Sequence, residues 1–82
     1  HNVLDYIELS AEYGILEIPA PAAWQGKSLK ELNVRAKLGV NVIAVTREEK
    51  TNVAPGADYV LSEGDTLSVL GSSVALEAVQ RL

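Results

Sequence analysis

Residues 26–46 read GKSLKELNVRAKLGVNVIAVT, and this stretch decides the fold because a helix start, a helix end and a strand follow one another in it. Ser28 and Glu31 have the S-x-x-E spacing of a capping box, in which the two side chains satisfy backbone N–H groups reciprocally. Gly39 lies where a left-handed residue commonly ends a helix. Residues 40–46 are almost wholly apolar and β-branched, so we predict a central strand that is buried on both faces.

The rest of the chain adds four strands and a closing helix around this stretch. Alternating or β-branched composition predicts strands at 3–9, 13–18, 58–61 and 66–70, with charged or glycine-containing turns at 47–50 and 62–65. Asn33 is expected to divide the first helix, and a Ser cap at 72 or 73 opens the last one. The order β-β-α-β-β-β-α with short β-β connections predicts a small α+β two-layer sandwich, with a mostly antiparallel sheet and helices on one face.

Length and composition limit the function classes. The 82 residues form one domain, 1–82, and 48% hydrophobic with 22% charged residues is ordinary globular usage. Seven Lys and Arg against eleven Asp and Glu give a net charge of -4, which argues against a nucleic-acid-binding module. No apolar run reaches the roughly eighteen residues of a membrane span, and no signal-peptide pattern opens the sequence.

The residue types also argue against catalysis. The chain has no Cys, and its one His is residue 1, so neither a Cys nucleophile nor a His-based general base or metal site is expected. A domain this small also lacks room for a deep pocket with supporting residues behind it. We therefore predict a binding module rather than an enzyme, with no intrinsic cofactor, and a site shared between two copies is the easier geometry.

Several motifs have both a structural and a functional interpretation. Residues 26–28 (GKS) imitate the end of a phosphate-binding loop, but position 21 is Pro rather than the required Gly, so Ser28 is better interpreted as a helix cap. Glu63 and Asp65 are a weak candidate calcium pair, because further oxygen ligands are missing from the sequence around them. Trp24 is either a loop anchor or a stacking platform.

Basic residues concentrate near the first helix. Four of the seven lie within eleven positions, namely Lys27, Lys30, Arg35 and Lys37. In a chain of net negative charge, this cluster is the place suited to an anion. Solubilising charges that balance nearby acids are the equally weighted alternative.

Three segments together resemble a known family. GKSLKEL (26–32), VNVIAV (40–45) and EGDTLSVLG (63–71) look like the TrkA-C domain, the C-terminal lobe of RCK proteins that regulate potassium channels and transporters. The similarity runs from about residue 13 to residue 82. Residues 2–10 look like the connection found in Ktr-type potassium-uptake regulators, so we assign residues 1–12 to a connecting segment. The N-terminal Rossmann lobe of RCK proteins, with its Gly-rich nucleotide site, is not in this chain.

The resemblance implies a cytoplasmic regulatory domain that forms a homodimer and partners a membrane potassium channel or transporter subunit. In some members of the family, cyclic di-adenosine monophosphate (cyclic di-AMP) lies in the dimer cleft. The matching positions here are Leu29, Asn33, Arg35, Asn41 and Val42, with Arg35 on phosphate and Asn41 on an adenine edge or phosphate oxygen. The chain departs from the pattern at Asn33, where binding members carry an acid, and near Glu48, where they carry a His.

Three other functions remain open at this point. The same lobe occurs in cation/proton antiporters and anion transporters, where it has a different ligand or none. The domain could also be a dimerising element without a ligand, or a small enzyme, although the residue types argue against the enzyme.

Overall fold

The computed structural model describes residues 3–82; His1 and Asn2, which open the predicted connecting segment, lie outside the described residues. The sheet has five strands, which are β1 (Asp5–Glu8), β2 (Tyr13–Pro19), β3 (Asn41–Arg47), β4 (Lys50–Asn52) and β5 (Thr66–Ser72). The helices are α1 (Leu29–Leu32), α2 (Val34–Leu38) and α3 (Ser73–Gln80), and a single 3-10 turn covers Ala22–Trp24.

The strands are arranged in the order β1-β2-β5-β3-β4, and every neighbouring pair is antiparallel. The predicted α+β sandwich is therefore confirmed. The centre of the sheet differs from the prediction, because β5 occupies it and β3 lies between β5 and the three-residue edge strand β4. Most of β3 is only half-buried, since helices pack on one face of the sheet and the short β4 covers little of its edge.

The hydrophobic core lies between that face and the helices. In β2 and β5 every second side chain is buried, which the two-residue period of a strand requires when one face is covered. The helices contribute Val34, Leu76 and Val79 to the same cluster. Fully burying a Leu or Val side chain stabilises the fold by about 1.5–3 kcal/mol, so these contacts hold the helices on the sheet.

The first helical region follows the predicted capping and break. The Ser28 side chain accepts a hydrogen bond from the Glu31 N–H at 3.1 Å, and Glu31 Oε1 accepts one from the Ser28 N–H at 2.9 Å. Asn33 is left-handed, with φ 49°, and separates α1 from α2. Gly39, with φ 74°, ends α2 in the left-handed conformation that glycine adopts without steric cost.

Between residues 47 and 61 the predicted charged turn is confirmed, the strand that follows it was not predicted, and the strand predicted at 58–61 is wrong. The charged segment 47–50 is a two-residue hairpin turn at Glu48-Glu49, and β4 begins immediately after it. Residues 58–61 do not form a strand of the sheet. Their backbone bonds instead to the loop before α1, where the Leu61 N–H donates to Lys27 O at 3.0 Å and Leu61 O accepts from the Gly26 N–H at 2.8 Å. The segment 58–61, whose residues favour a strand, thus pairs with a loop rather than with another strand.

Candidate functional site

A groove opens where α1 and α2 meet the first residues of β3. Its volume is about 370 Å³, and it is lined by Leu29, Lys30, Asn33, Val34, Arg35, Asn41, Val42, Pro55, Gly56 and Ala57. Small-molecule sites commonly have volumes of this order, with apolar walls and a few polar groups. This groove has apolar and polar lining, because aliphatic side chains line it together with two amides and two cations.

All five residues predicted from the sequence line this groove. Leu29 begins α1, Asn33 is the left-handed residue between the two short helices, and Arg35 is exposed on α2. Asn41 and Val42 are the first two residues of β3. Residues of the helices and of β3 that are six or more positions apart thus meet because the chain reverses at Gly39.

A bulge in β3 adjusts the strand beside the groove. Val42 pairs with Val69 and Ala44 pairs with Ser68, so the intervening Ile43 has no partner in β5. Such an extra residue bends the strand and re-aims the side chains on either side of it. The bulge lets Val42 face the groove while Val45, three residues later, is still buried in the core.

The groove is electropositive. Lys30 and Arg35 are its charged residues, and no Asp or Glu occurs among the described residues that line it. The acid nearest to them in sequence is Glu31, whose carboxylate is engaged by Ser28 at the helix start. Hydrogen bonds from the Ser28 backbone and side chain hold the pKa of Glu31 below its ordinary value. The groove is therefore chemically suited to an anion such as a phosphate.

The loop wall of the groove, residues 55–57, was missed by the sequence analysis. In the sequence, Pro55-Gly56 is a turn signal, but no motif indicates that this turn folds back on α1. The docking depends on backbone bonds, in which Lys30 N–H donates to Ala57 O at 2.8 Å and Leu29 N–H donates to Tyr59 O at 3.0 Å. These bonds also occupy N–H groups at the start of α1, so an anion in the groove would be held by side chains.

The weaker motifs receive structural explanations. Trp24 is only 4% exposed and packs in the core, which makes it a loop anchor rather than a stacking platform. Ser28 caps α1, as described above, instead of completing a phosphate-binding loop. Asp65 is paired with an arginine, so it does not offer a free carboxylate to calcium. No cluster of three or more His, Cys, Asp or Glu side chains that could hold a metal occurs within residues 3–82.

The arginine that pairs with Asp65 is Arg47, at the end of β3. Its Nε donates to Asp65 Oδ1 at 2.7 Å and its Nη2 donates to Oδ2 at 2.8 Å, which is a bidentate geometry. The Asp65 side chain is fully buried, whereas that of Arg47 is 42% exposed. Hydrogen bonds from Arg47, supported by one from the Ser62 N–H, hold the pKa of Asp65 below its ordinary value, although burial acts in the opposite direction. We call this pair with its neighbours Val60 and Ser62 the Arg47 clasp.

Comparison with known families decides the classification. The family model described as the TrkA-C domain matches residues 14–82. The chain belongs to the TrkA-C family. The resemblance inferred from the three sequence segments is thereby confirmed. Ktr system potassium uptake protein C of Bacillus subtilis (strain 168) is 43% identical over 72 residues, which are 88% of this chain and 33% of that protein. The chain spans about a third of the length of the two Ktr system potassium uptake proteins it matches, proteins C and A of Bacillus subtilis (strain 168).

Two solved RCK C domain structures are similar to this chain. The RCK C domain of the potassium transport protein KtrA, in complex with cyclic di-AMP, aligns with a TM-score of 0.77 at 30% identity, over 82% of this chain and 79% of that one. The RCK_C domain dimer of Streptococcus agalactiae BusR, also in complex with cyclic di-AMP, aligns with a TM-score of 0.71 at 30% identity, over 79% and 88% of the two chains. Within residues 3–82, no helix has the length and apolarity to cross a membrane.

Proposed function

We propose that this TrkA-C domain is a cytoplasmic sensor that binds cyclic di-AMP between two copies of itself and thereby regulates potassium uptake. One observation carries the proposal: the groove gathers Arg35 and Asn41 with the apolar side chains of Leu29 and Val42, and no acid lines it. The cyclic di-AMP complexes of KtrA and BusR, both structurally similar to this chain, support the choice of ligand.

The symmetry of the ligand supports a shared site. Cyclic di-AMP has two phosphates and two adenines related by a two-fold axis, so a homodimer offers each half of the ligand the same residues. Arg35 is exposed on α2 and forms no ion pair within residues 3–82. Each subunit can therefore offer one Arg35 to one phosphate of the ligand. Leu29 and Val42 supply apolar surface for an adenine, and the Asn41 amide offers both a donor and an acceptor to a base edge.

Similarity to a known relative supports a proposal about the context in which the sensor acts. The identity to a Ktr potassium uptake protein favours potassium uptake over the antiporter and anion-transporter alternatives. In the full-length protein, we propose that a Rossmann lobe precedes the connecting segment 1–12 and that the assembly gates a membrane channel or transporter subunit. The domain itself has no catalytic role and no intrinsic cofactor. A ligand that binds one dimer geometry more tightly than another would shift the population between them.

The direct test is calorimetric titration of the domain with cyclic di-AMP. We expect saturable binding and a loss of about tenfold or more in affinity for Arg35→Ala, because a charge-assisted contact to phosphate is removed. Arg81→Ala is the matched control, since Arg81 follows α3 and does not line the groove. No heat at high micromolar ligand would overturn the proposal in favour of a ligand-free dimerising domain. Equal affinity in the Arg35 variant and the control would remove Arg35 from the site.

A further inference from the structure

We propose that Arg47, which lies outside the groove, is a positioning residue that fixes the loop wall 55–57 and thereby raises the affinity of the groove for a nucleotide. The effect on nucleotide affinity rests on the proposed function. Arg47 is not among the lining residues of the groove. Its influence would pass through the segment 58–65, which connects the loop wall to the central strand β5.

The clasp immobilises the far end of this segment. Besides the two bonds to Asp65, Arg47 Nη2 donates to Val60 O at 3.0 Å and to Ser62 Oγ at 3.3 Å. Asp65 Oδ2 also accepts from the Ser62 N–H at 2.8 Å. One guanidinium therefore bonds to three residues spread over six positions, so that the chain between them has little freedom to move relative to β3.

Tyr59 connects the clasp to the loop wall. Its ring lies under the Arg47 guanidinium, with 5.0 Å between Cζ and the ring centroid, a distance typical of a cation–π contact. The Tyr59 N–H closes a turn by donating to Gly56 O at 3.0 Å, and its carbonyl accepts from the Leu29 N–H at 3.0 Å. Tyr59, which also packs against the hydrophobic core, thus contacts Arg47 through its side chain and the groove residue Leu29 through its backbone.

This arrangement explains how a short, exposed loop can serve as a wall. Gly56 and Ala57 are exposed and bury no apolar side chain of their own, so packing does not hold them. Their position depends on the bond from Lys30 N–H to Ala57 O and on the anchoring of Tyr59. A binding wall that moves must be ordered at the moment of binding, and that ordering lowers the affinity. Because Arg47 holds the wall in place before the ligand binds, this ordering cost is smaller at the moment of binding.

The test compares the wild-type chain, Arg47→Ala and the control Arg81→Ala at a temperature where circular dichroism shows all three folded. Amide exchange measured by NMR reports on the wall at Lys30, whose N–H donates to Ala57 O, and at Leu29, whose N–H donates to Tyr59 O beside the wall. Leu67 and Val69 in β5 report on the core. In the Arg47 variant we expect exchange at least about tenfold faster at the two wall reporters, with a smaller change in the core. We also expect a cyclic di-AMP dissociation constant at least fivefold higher, about 1 kcal/mol of lost binding.

The two readouts separate the possible failures. Wild-type binding with unchanged affinity and unchanged wall exchange in Arg47→Ala would overturn the inference. Absence of binding by the wild-type chain would instead overturn the proposed function, and the exchange data would still decide whether Arg47 holds the wall. If Arg47→Ala fails to fold, Tyr59→Leu replaces it, because that change removes the ring beneath the guanidinium and leaves the bidentate pair intact. Wall exchange equal to wild type in Tyr59→Leu would then overturn the inference.

Discussion

At the scale of single residues, the clasp joins two groups with different access to water. Asp65 is 1% exposed, and its carboxylate is hydrogen-bonded only from the guanidinium and the Ser62 N–H within the described chain. Arg47 remains partly hydrated, so it can lose its partner without becoming a buried unpaired charge. The stability of the clasp therefore depends on the ionisation of Asp65, because only the carboxylate form accepts both bonds from the guanidinium.

We expect Asp65→Asn to lower the free energy of unfolding by about 2 kcal/mol near neutral pH, the cost of charge-assisted bonds to a buried group. The folded pKa of Asp65 is depressed. Its contribution is therefore fully present above the unfolded pKa of about 3.9 and is lost as the pH falls through the folded pKa. Urea unfolding at a series of pH values should show the difference between the two proteins constant from pH 7 to 5 and shrinking below pH 4. A difference that stays the same at every pH would contradict an ionised Asp65 as its source.

Asn33 has a structural and a proposed binding role that substitutions can separate. Its φ of 49° is unfavourable for most side chains, tolerated by Asn and free of cost for Gly. We expect Asn33→Ala to lower the unfolding free energy by about 1 kcal/mol and Asn33→Gly to preserve it. Both variants lack the amide, so both should bind cyclic di-AMP more weakly in calorimetric titrations. Wild-type affinity in the Gly variant would leave Asn33 with the structural role alone.

At the scale of elements, the β3–β4 hairpin has an unfavourable turn. Glu48 and Glu49 both have positive φ, 51° and 69°, between the paired residues Arg47 and Lys50. Two-residue hairpins of this kind favour Asn-Gly, because both central residues must be left-handed. We expect the double change Glu48→Asn with Glu49→Gly to raise the unfolding free energy by about 1 kcal/mol, measured by urea denaturation. The reverse order, Glu48→Gly with Glu49→Asn, is a composition-matched control and should stabilise less. A decrease in stability would show that the Glu side chains do more than turn the chain.

The elements also show what the sequence could predict. The capping box, the Asn33 break and Gly39 were correct because the signal and the structure lie within the same few residues. The interpretation of 58–61 failed because β propensity says that a segment is extended without saying what it pairs with. The same limit applies to the site. Resemblance located Arg35 and Asn41, whereas the loop wall lies fourteen or more positions further along the chain and reaches the groove only through the fold.

At the scale of the whole molecule, the groove is half of the proposed site. It opens at the surface of a single chain, and its two charged residues, Lys30 and Arg35, are exposed rather than enclosed. Binding sites enclose most of the surface of a small ligand, so the proposed site requires a second copy to cover its open side. Dimerisation and ligand binding are then linked, and each must strengthen the other by the same factor.

The linkage gives a prediction about stoichiometry and assembly. Calorimetry should yield one cyclic di-AMP for every two chains, because a two-fold ligand on a two-fold axis is shared. At a chain concentration where sedimentation velocity resolves monomer and dimer, the ligand should raise the dimer fraction, since it binds the dimer and not the monomer. Arg35→Ala should respond only at about tenfold higher ligand, while Arg81→Ala should match the wild type. A stoichiometry of one ligand per chain with unchanged sedimentation would place the nucleotide on each subunit separately. The coupling between binding and the geometry of the dimer, on which regulation of a transporter depends, would then be absent.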